Sequence, residues 1–275
     1  MLNNEFMKKY FFFAICAMTV LLTACEKNEP SNSNTGSDIS KNQIAFSVSA
    51  DKQVTFSKGN LQYNPVNDKW SFADSQLETY NDFFGWHLFG WSADNTTAPF
   101  GVSTSGDREN DYLGSFVDWG TNTIGDDAPN TWRTLSNDEW EYLLNTRTNA
   151  SSLKAVAQVN GVNGLIFLPD NWTCPTDVAF KSGFHSTLGR ENYAEYQSFA
   201  ADQWSLLESA GAVFLPAAGI RDSIHVFVNQ YYGGYWSATE DGSEGAYYLS
   251  FAPNEAYMGY SSRYLGNSVR LVKDL

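Results

Sequence analysis

The chain has 275 residues, of which 16% are aromatic and 17% are charged, and its formal net charge is −14. The charged fraction is low, since roughly a quarter of the residues are charged in most globular domains. A polyanion of this size repels nucleic acids and anionic lipid surfaces, and no cluster of basic residues offsets its charge. Nucleic acid is therefore excluded as a partner.

The first 24 residues have the pattern of an export signal. Two lysines precede an apolar run from Phe11 to Leu22. A helix that spans a bilayer needs about 20 residues, so this shorter run predicts a cleaved signal peptide over residues 1–24. The run ends in Leu-Thr-Ala-Cys, which resembles a bacterial lipobox, although an ordinary signal peptide with an incidental cysteine is the alternative. Lipidation of Cys25 would tether the chain to a membrane, and we expect a surface-exposed position on the outer membrane.

The remaining chain divides by composition into three parts. Residues 25–43 are dominated by Asn, Ser, Glu and Lys and contain no aromatic residue, which predicts a flexible tether. Residues 44–130 contain short runs that alternate between apolar and polar side chains. They are predicted to form a β-rich portion packed on the main domain, which covers residues 131–275.

Two short helices are predicted in the main domain. Ser136 and Glu139 have the spacing of a capping box, and apolar residues follow at helical intervals. A second helix is expected over residues 202–209, ending before Gly211. The helices are few and lie among short strands, which predicts an α+β fold with an antiparallel sheet, two short helices and long ordered loops.

Five blocks of the main domain resemble known sequences. Residues 132–143 resemble the helix start of the formylglycine-generating-enzyme type of C-type lectin fold. Residues 214–221, 234–240, 246–251 and 268–272 resemble, in the same order, blocks of the Fibrobacter major paralogous domain group, which is abundant among Bacteroidetes lipoproteins. The resemblance implies a C-type-lectin-like fold for residues 131–275.

The same architecture displays the variable regions of diversity-generating retroelements, and residues 241–264 resemble such a region. This segment is rich in Tyr, Ser, Gly and Asn. Tyrosine gives rigid contact area, and the small polar residues give adaptable hydrogen bonds, so the composition suits recognition. The resemblance implies that the ligand-binding residues are Asp241, Gly242, Ser243, Gly245, Tyr248, Ser250, Asn254, Tyr257, Tyr260 and Ser262.

Strand alternation predicts which of these side chains face outward. Successive side chains of a strand point to opposite faces, so the core-facing residues are expected to be Tyr247, Leu249, Phe251, Val269 and Leu271. Tyr248 and Ser250 are then expected to face solvent. Tyr257 and Tyr260 are expected to lie exposed on the same face as Tyr248.

No catalytic residues are predicted. The three histidines are scattered, and the sequence contains no metal-ligand spacing, nucleophile elbow or phosphate-binding loop. Formylglycine-generating enzymes need reactive cysteines in the C-terminal region, and none follows Cys174. The calcium and sugar motifs of C-type lectins are also missing. We therefore expect a protein that is not an enzyme and has no metal or cofactor.

The predicted function is that of a lipid-anchored binding protein of the cell envelope. Its C-terminal surface would bind a protein or glycan ligand, as a diversified receptor or adhesin does. One alternative is a fimbrial or other surface-assembly subunit, although the tether has no arginine at which a leader could be processed. Another alternative is a glycan-binding lipoprotein that serves polysaccharide uptake.

Overall fold

Antiparallel strand pairing dominates the fold. A computed structural model describes residues 44–64, 66–79, 87–91, 112, 114–222, 225–228 and 230–275. The predicted signal peptide, Cys25 and the predicted tether lie outside the described residues. The predicted α+β class is confirmed, because short helices accompany several sheets whose pairings are antiparallel with one parallel exception. Within the described ranges, no helix has the length and apolar character needed to cross a membrane.

The N-terminal strands share a sheet with the C-terminal end of the chain. Strand β1 (Phe46–Ser47) pairs with β2 (Gln53–Phe56), and β2 also pairs with β15 (Val272–Asp274). Strands β3 (Leu61–Asn64) and β4 (Lys69–Phe72) form a separate hairpin. Both ends of the described chain therefore meet in one sheet.

The capping box predicted from the sequence is present at the start of α1 (Asn137–Glu141). The Ser136 hydroxyl accepts a hydrogen bond from the Glu139 amide at 3.2 Å, and the Glu139 carboxylate accepts one from the Ser136 amide at 2.9 Å. A π-helical turn, Tyr142–Thr146, continues α1. Trp140 is fully buried, so the helix packs its apolar side against the core.

The second predicted helix is also confirmed, as α3 (Ala201–Ser209). A further helix, α2 (Asn192–Tyr196), was missed by the sequence analysis because it is a single turn with no side-chain cap. Short 3-10 turns occur at Trp119–Thr121 and Ala150–Ser152.

The central sheet has the strand order β7-β5-β6-β8. These strands are β5 (Lys154–Val159), β6 (Val162–Phe167), β7 (Ser198–Phe199) and β8 (Val213–Pro216). Nearly every residue of β5, β6 and β8 is buried, whichever face it occupies. The central sheet is therefore covered on both faces.

A small sheet follows, formed by β9 (Ile220–Asp222), β10 (His225–Phe227) and β14 (Leu265–Gly266), with β9 in the middle. Of the predicted strand 268–272, residues 268–271 are buried but lie outside the regular strands, whereas Val272 begins β15. Ser268 of this segment forms a single parallel bridge with Tyr235, which belongs to strand β11 (Gly233–Asp241).

The C-terminal sheet consists of β11 (Gly233–Asp241), β12 (Gly245–Ala252) and β13 (Glu255–Ser262), with β12 in the middle. The register between β12 and β13 is continuous over eight residue pairs, whereas the register between β11 and β12 shifts between Trp236 and Glu240. Among the described strands, β13 pairs with β12 alone, so it is an edge strand.

Two separate core clusters cover the middle of the C-terminal sheet. Leu249 on one face of β12 packs in the cluster that contains Trp140. On the other face, Ala246 packs in the cluster that contains Trp236, and Tyr248 lies against it. Strand β12 therefore lies between two hydrophobic layers.

Candidate functional site

The candidate site is built on the turn that joins β11 to β12. Asp241 pairs with Gly245 across this turn, and Gly245 also pairs with Ser262 on β13. Gly242 has a backbone φ of 64°, in the left-handed region that favours glycine. Ser243 is exposed at the tip. The turn is therefore brought beside the last residues of the edge strand.

A shallow depression lies between this turn and β13, and we call it the turn depression. It is lined by Asp241, Ser243, Glu244, Gly245, Tyr260, Ser261, Ser262 and Leu265. Tyr260 is 72% exposed. Tyr247, its cross-strand partner, is partly exposed on the same face. Carboxylates, hydroxyls and a phenol thus lie together in a lining that has no cationic side chain, which suits hydrogen bonding to a neutral or cationic ligand.

The protonation of Tyr247 depends on its acidic neighbour. The charge of Asp241 is the largest cause that raises the pKa of the Tyr247 hydroxyl above its ordinary value of 10, and a hydrogen bond to the same carboxylate adds to it. Its single proton is donated to the Asp241 carboxylate, so the phenol oxygen can accept a hydrogen bond beside the turn depression.

The turn is held from beneath by a buried arginine. Arg263 is only 2% exposed, and its guanidinium donates to the carbonyl oxygens of Gly245 at 3.0 Å and Gly242 at 2.7 Å. It also donates to the Glu240 carboxylate at 3.2 Å and lies 4.4 Å from the centroid of the Trp91 ring. The planar guanidinium binds several acceptors in fixed directions, so Arg263 restrains the backbone of the turn.

The structure brings together only part of the predicted binding set. The members that lie at the turn depression or in its turn are Asp241, Gly242, Ser243, Gly245, Tyr260 and Ser262. The other four lie elsewhere on the sheet. The predicted single surface is therefore divided.

The predicted orientation of β12 was partly wrong. Leu249 and Phe251 are buried as expected, and so are Val269 and Leu271. Ser250, however, is buried at 7% exposure. Tyr248 is half-buried, with its ring centroid 5.9 Å from that of Trp236, and Tyr247, expected inside, is partly exposed. Alternation assigns residues to faces, but it does not reveal that both faces are covered in the middle of the strand.

Tyr257 and Tyr260 do not share a face, contrary to the prediction. Tyr257 pairs with Ser250, whereas Tyr260 pairs with Tyr247. They are three positions apart along one strand, and an odd separation places two side chains on opposite faces. The spacing alone carried this information, so the sequence was sufficient to correct the prediction.

Asn254 lies at the far end of the sheet. It belongs to the tight turn between β12 and β13, two residues beyond Ala252, the last paired residue of β12. Ala252 itself lies seven residues after Gly245, where the pairing begins. At a rise of about 3.4 Å per residue, the two ends of this strand pair are roughly 24 Å apart. The His185 amide donates to the Pro253 carbonyl at 2.8 Å and fixes this end against the body of the domain. Asn254 is therefore not part of the turn depression.

Several residues at the site were not predicted. Arg263 and Trp91 lie beneath the turn, while Glu244 and Leu265 line the depression. A lone arginine at the end of a Tyr- and Ser-rich segment was the available signal for Arg263. No sequence signal connects Trp91 with the turn, because the two are far apart in the chain.

No metal site is evident at the turn or elsewhere in the described part of the chain, where no group of three His, Cys, Asp or Glu side chains is placed to hold an ion. Comparison of the chain with protein-family models, with curated proteins and with solved structures finds no match. The functional interpretation therefore rests on the geometry of the molecule and on the sequence resemblance.

Proposed function

We propose that the chain is a lipid-anchored binding protein of the cell envelope, with a C-type-lectin-like domain over residues 131–275 and a lipid on Cys25. Its recognition surface is the turn depression. The observation that carries this proposal is an exposed polar and aromatic surface beside a turn whose backbone Arg263 holds from beneath. A restrained surface loses less conformational entropy on binding, which favours recognition.

The positions of the resembling blocks support the C-type-lectin-like assignment. Residues 132–143 contain the capped start of α1, and residues 214–221 cover most of β8 and the start of β9. Residues 234–240 and 246–251 lie within β11 and β12. The variable-type segment, residues 241–264, contains the edge strand and every lining residue of the turn depression except Leu265.

The chemistry of the lining defines the ligand class. Tyr260 and Tyr247 offer ring faces and hydroxyls, Ser243 and Ser262 offer hydroxyls, and Asp241 offers a carboxylate. Such a set binds hydroxyl-rich glycans and the polar surfaces of proteins. Anionic ligands are disfavoured, because the chain has a net charge of −14.

Substitution of the turn tests the proposal. Ser243→Arg places a bulky side chain at the turn depression, and Tyr247→Ala removes a ring beside it. Glycan arrays and displayed envelope proteins would be screened with the wild type, and each positive ligand would be titrated against both variants. We expect affinity to fall about tenfold or more, since aromatic residues often dominate binding energy. Tyr232→Ala is the matched control, because Tyr232 is 46% exposed but lies before β11, away from the turn.

Each outcome of this experiment leads to a different conclusion. Loss of binding in both turn variants, with unchanged melting temperatures and a normal control, supports the turn depression. Equal loss in the Tyr232→Ala control would place the site elsewhere. Glycan-only or protein-only binding would decide between the two ligand classes.

The anchor is tested independently of the ligand. Cys25→Ala should abolish fatty-acid labelling and release the protein from the membrane fraction, because the thiol that carries the lipid is gone. An alanine variant that still fractionates with membranes would contradict lipidation at this position.

A further inference from the structure

Within the described residues, the backbone groups on the outer edge of β13 have no partner strand. Ala252 and Glu255 close a two-residue turn, so they form a hydrogen-bonded pair, and such pairs recur at every second position of an antiparallel ladder. The same ladder continues past the strand, where the Arg263 amide donates to the Glu244 carbonyl at 2.9 Å. The odd-numbered residues of β13 therefore bond to β12. The amides and carbonyls of the even-numbered residues point outward.

This edge lacks the usual protection against another strand. Sheet edges are commonly blunted by proline, lysine, a bulge or a short length. Strand β13 is eight residues long, contains no proline, lysine or arginine, and pairs with β12 without a bulge. Within the described residues it is thus an open template for strand addition.

The side chains of β13 are arranged to contact an added strand on both faces of the sheet. Tyr257, at 48% exposure, lies on one face, and Tyr260, at 72%, lies on the other. A strand added beside β13 would have one tyrosine ring near each of its two faces. Peptides that extend a sheet gain affinity from main-chain hydrogen bonds and specificity from such flanking contacts.

Acidic groups lie at both ends of this edge. Glu255 begins β13, while Asp241 and Glu244 lie beside its last residue, Ser262. The strand itself carries no cationic side chain. A second copy of the chain would bring a further charge of −14 to the same edge, so like-charge repulsion disfavours it. A basic segment is complementary.

We propose that β13 binds an extended, basic peptide segment of a partner protein, which adds to the C-terminal sheet as a fourth strand. This inference rests on the proposed recognition function and names a binding mode for it. The main-chain amides and carbonyls of the added strand would pair with the outward amides and carbonyls of β13. Its lysine or arginine side chains would reach the carboxylates at the two ends of the edge.

A matched pair of variants separates backbone binding from side-chain binding. Tyr260→Ala removes the ring and keeps the outward amide, whereas Tyr260→Pro removes both and leaves the bonds to β12 intact. The probe is a peptide of alternating threonine and valine, as long as β13 and flanked by lysine pairs. A glutamate-flanked twin and a version methylated on alternate amides serve as controls.

We expect the lysine-flanked probe to bind the wild type about tenfold more tightly than its glutamate twin, and the methylated version to lose binding. Tyr260→Pro should bind at least about tenfold more weakly than Tyr260→Ala. Ala256→Pro, which also removes an outward amide but keeps both tyrosines, provides a second variant if Tyr260→Pro is unfolded by circular dichroism. Its binding should fall to the same level.

Three results would overturn the proposal. They are equal binding by the proline and alanine variants, no binding by any of the probes, and a dimer of the wild type in sedimentation that Tyr260→Pro dissolves, which would assign the edge to a second copy. These failures are distinguishable from failure of the proposed function. Ser243→Arg would still abolish binding of a ligand at the turn depression if only the edge proposal were wrong.

Discussion

The central sheet and the C-terminal sheet have different surroundings and different sequences. In the central sheet, β5, β6 and β8 are buried on both faces, and their residues are mostly Ala, Val, Leu, Ile and Phe. In the C-terminal sheet, β11 and β12 contribute residues to both core clusters, whereas the edge strand carries small residues and two exposed tyrosines. Stability and recognition are thus placed on different strands, and exposed positions can change without loss of the core.

Truncation in the central sheet is the strongest test of this division. Phe167 is fully buried, with its ring centroid 6.3 Å from that of Trp140. Phe167→Ala should lower the free energy of unfolding by about 3–5 kcal/mol, because it removes buried surface and leaves a cavity. Urea denaturation measures the change.

The matched control is Phe227→Ala on β10, where the ring is 55% exposed. This substitution should lower the free energy of unfolding by no more than about 0.5 kcal/mol. Similar losses for the two phenylalanines would mean that burial does not separate scaffold from surface.

Arg263, beneath the turn, contributes both to the stability of the fold and to the shape of the recognition surface. Arg263→Lys keeps a positive charge but cannot bond to Gly242 and Gly245 together, as the guanidinium does. We expect a loss of about 2 kcal/mol in stability, since hydrogen bonds from a charged donor contribute about 1.5–3 kcal/mol each and lysine keeps some of them. Amide exchange at the turn should quicken more than exchange in the central sheet.

Arg190→Lys provides the control, because Arg190 is exposed. It should leave both unfolding and exchange unchanged. If Arg263→Lys left ligand affinity and amide exchange at the turn unchanged, the arginine would be a core residue with no part in holding the recognition surface.

The sequence predicts the scaffold better than the surface. The capping box at Ser136, the helix ending before Gly211 and the strand at 246–251 all follow from local patterns, and the structure has them. The face of β12 that carries Tyr248 and Ser250 is covered by a cluster that contains Trp91 and Trp236, which are far apart in the chain. The Trp91 indole nitrogen also donates to the Ser237 carbonyl at 2.7 Å. No local pattern encodes such long-range packing, so Tyr248 and Ser250 were assigned to solvent although they are covered.

Loss of the helix cap should produce a smaller effect, confined to the scaffold. Ser136→Ala removes the hydroxyl that accepts the Glu139 amide, and the expected cost is about 1 kcal/mol. Ligand binding at the turn depression should be unchanged, because the cap contributes no side chain to it. Ser186→Ala, at an exposed position, is the control for stability. Weaker binding at unchanged stability would place the recognition surface near α1.

The smallest stability effect is expected at Tyr257, and it separates the two proposed binding modes. The ring is half-exposed and lies on the face opposite to the turn depression, so Tyr257→Ala should cost roughly 0.5 kcal/mol through lost cross-strand contacts. A ligand held at the turn depression should bind this variant normally, whereas a peptide added along β13 should bind it more weakly. Tyr260→Ala should weaken both, because Tyr260 lines the depression and also belongs to the edge. Titration of both variants with one ligand therefore tells which mode that ligand uses, and a ligand indifferent to both tyrosines would bind neither surface.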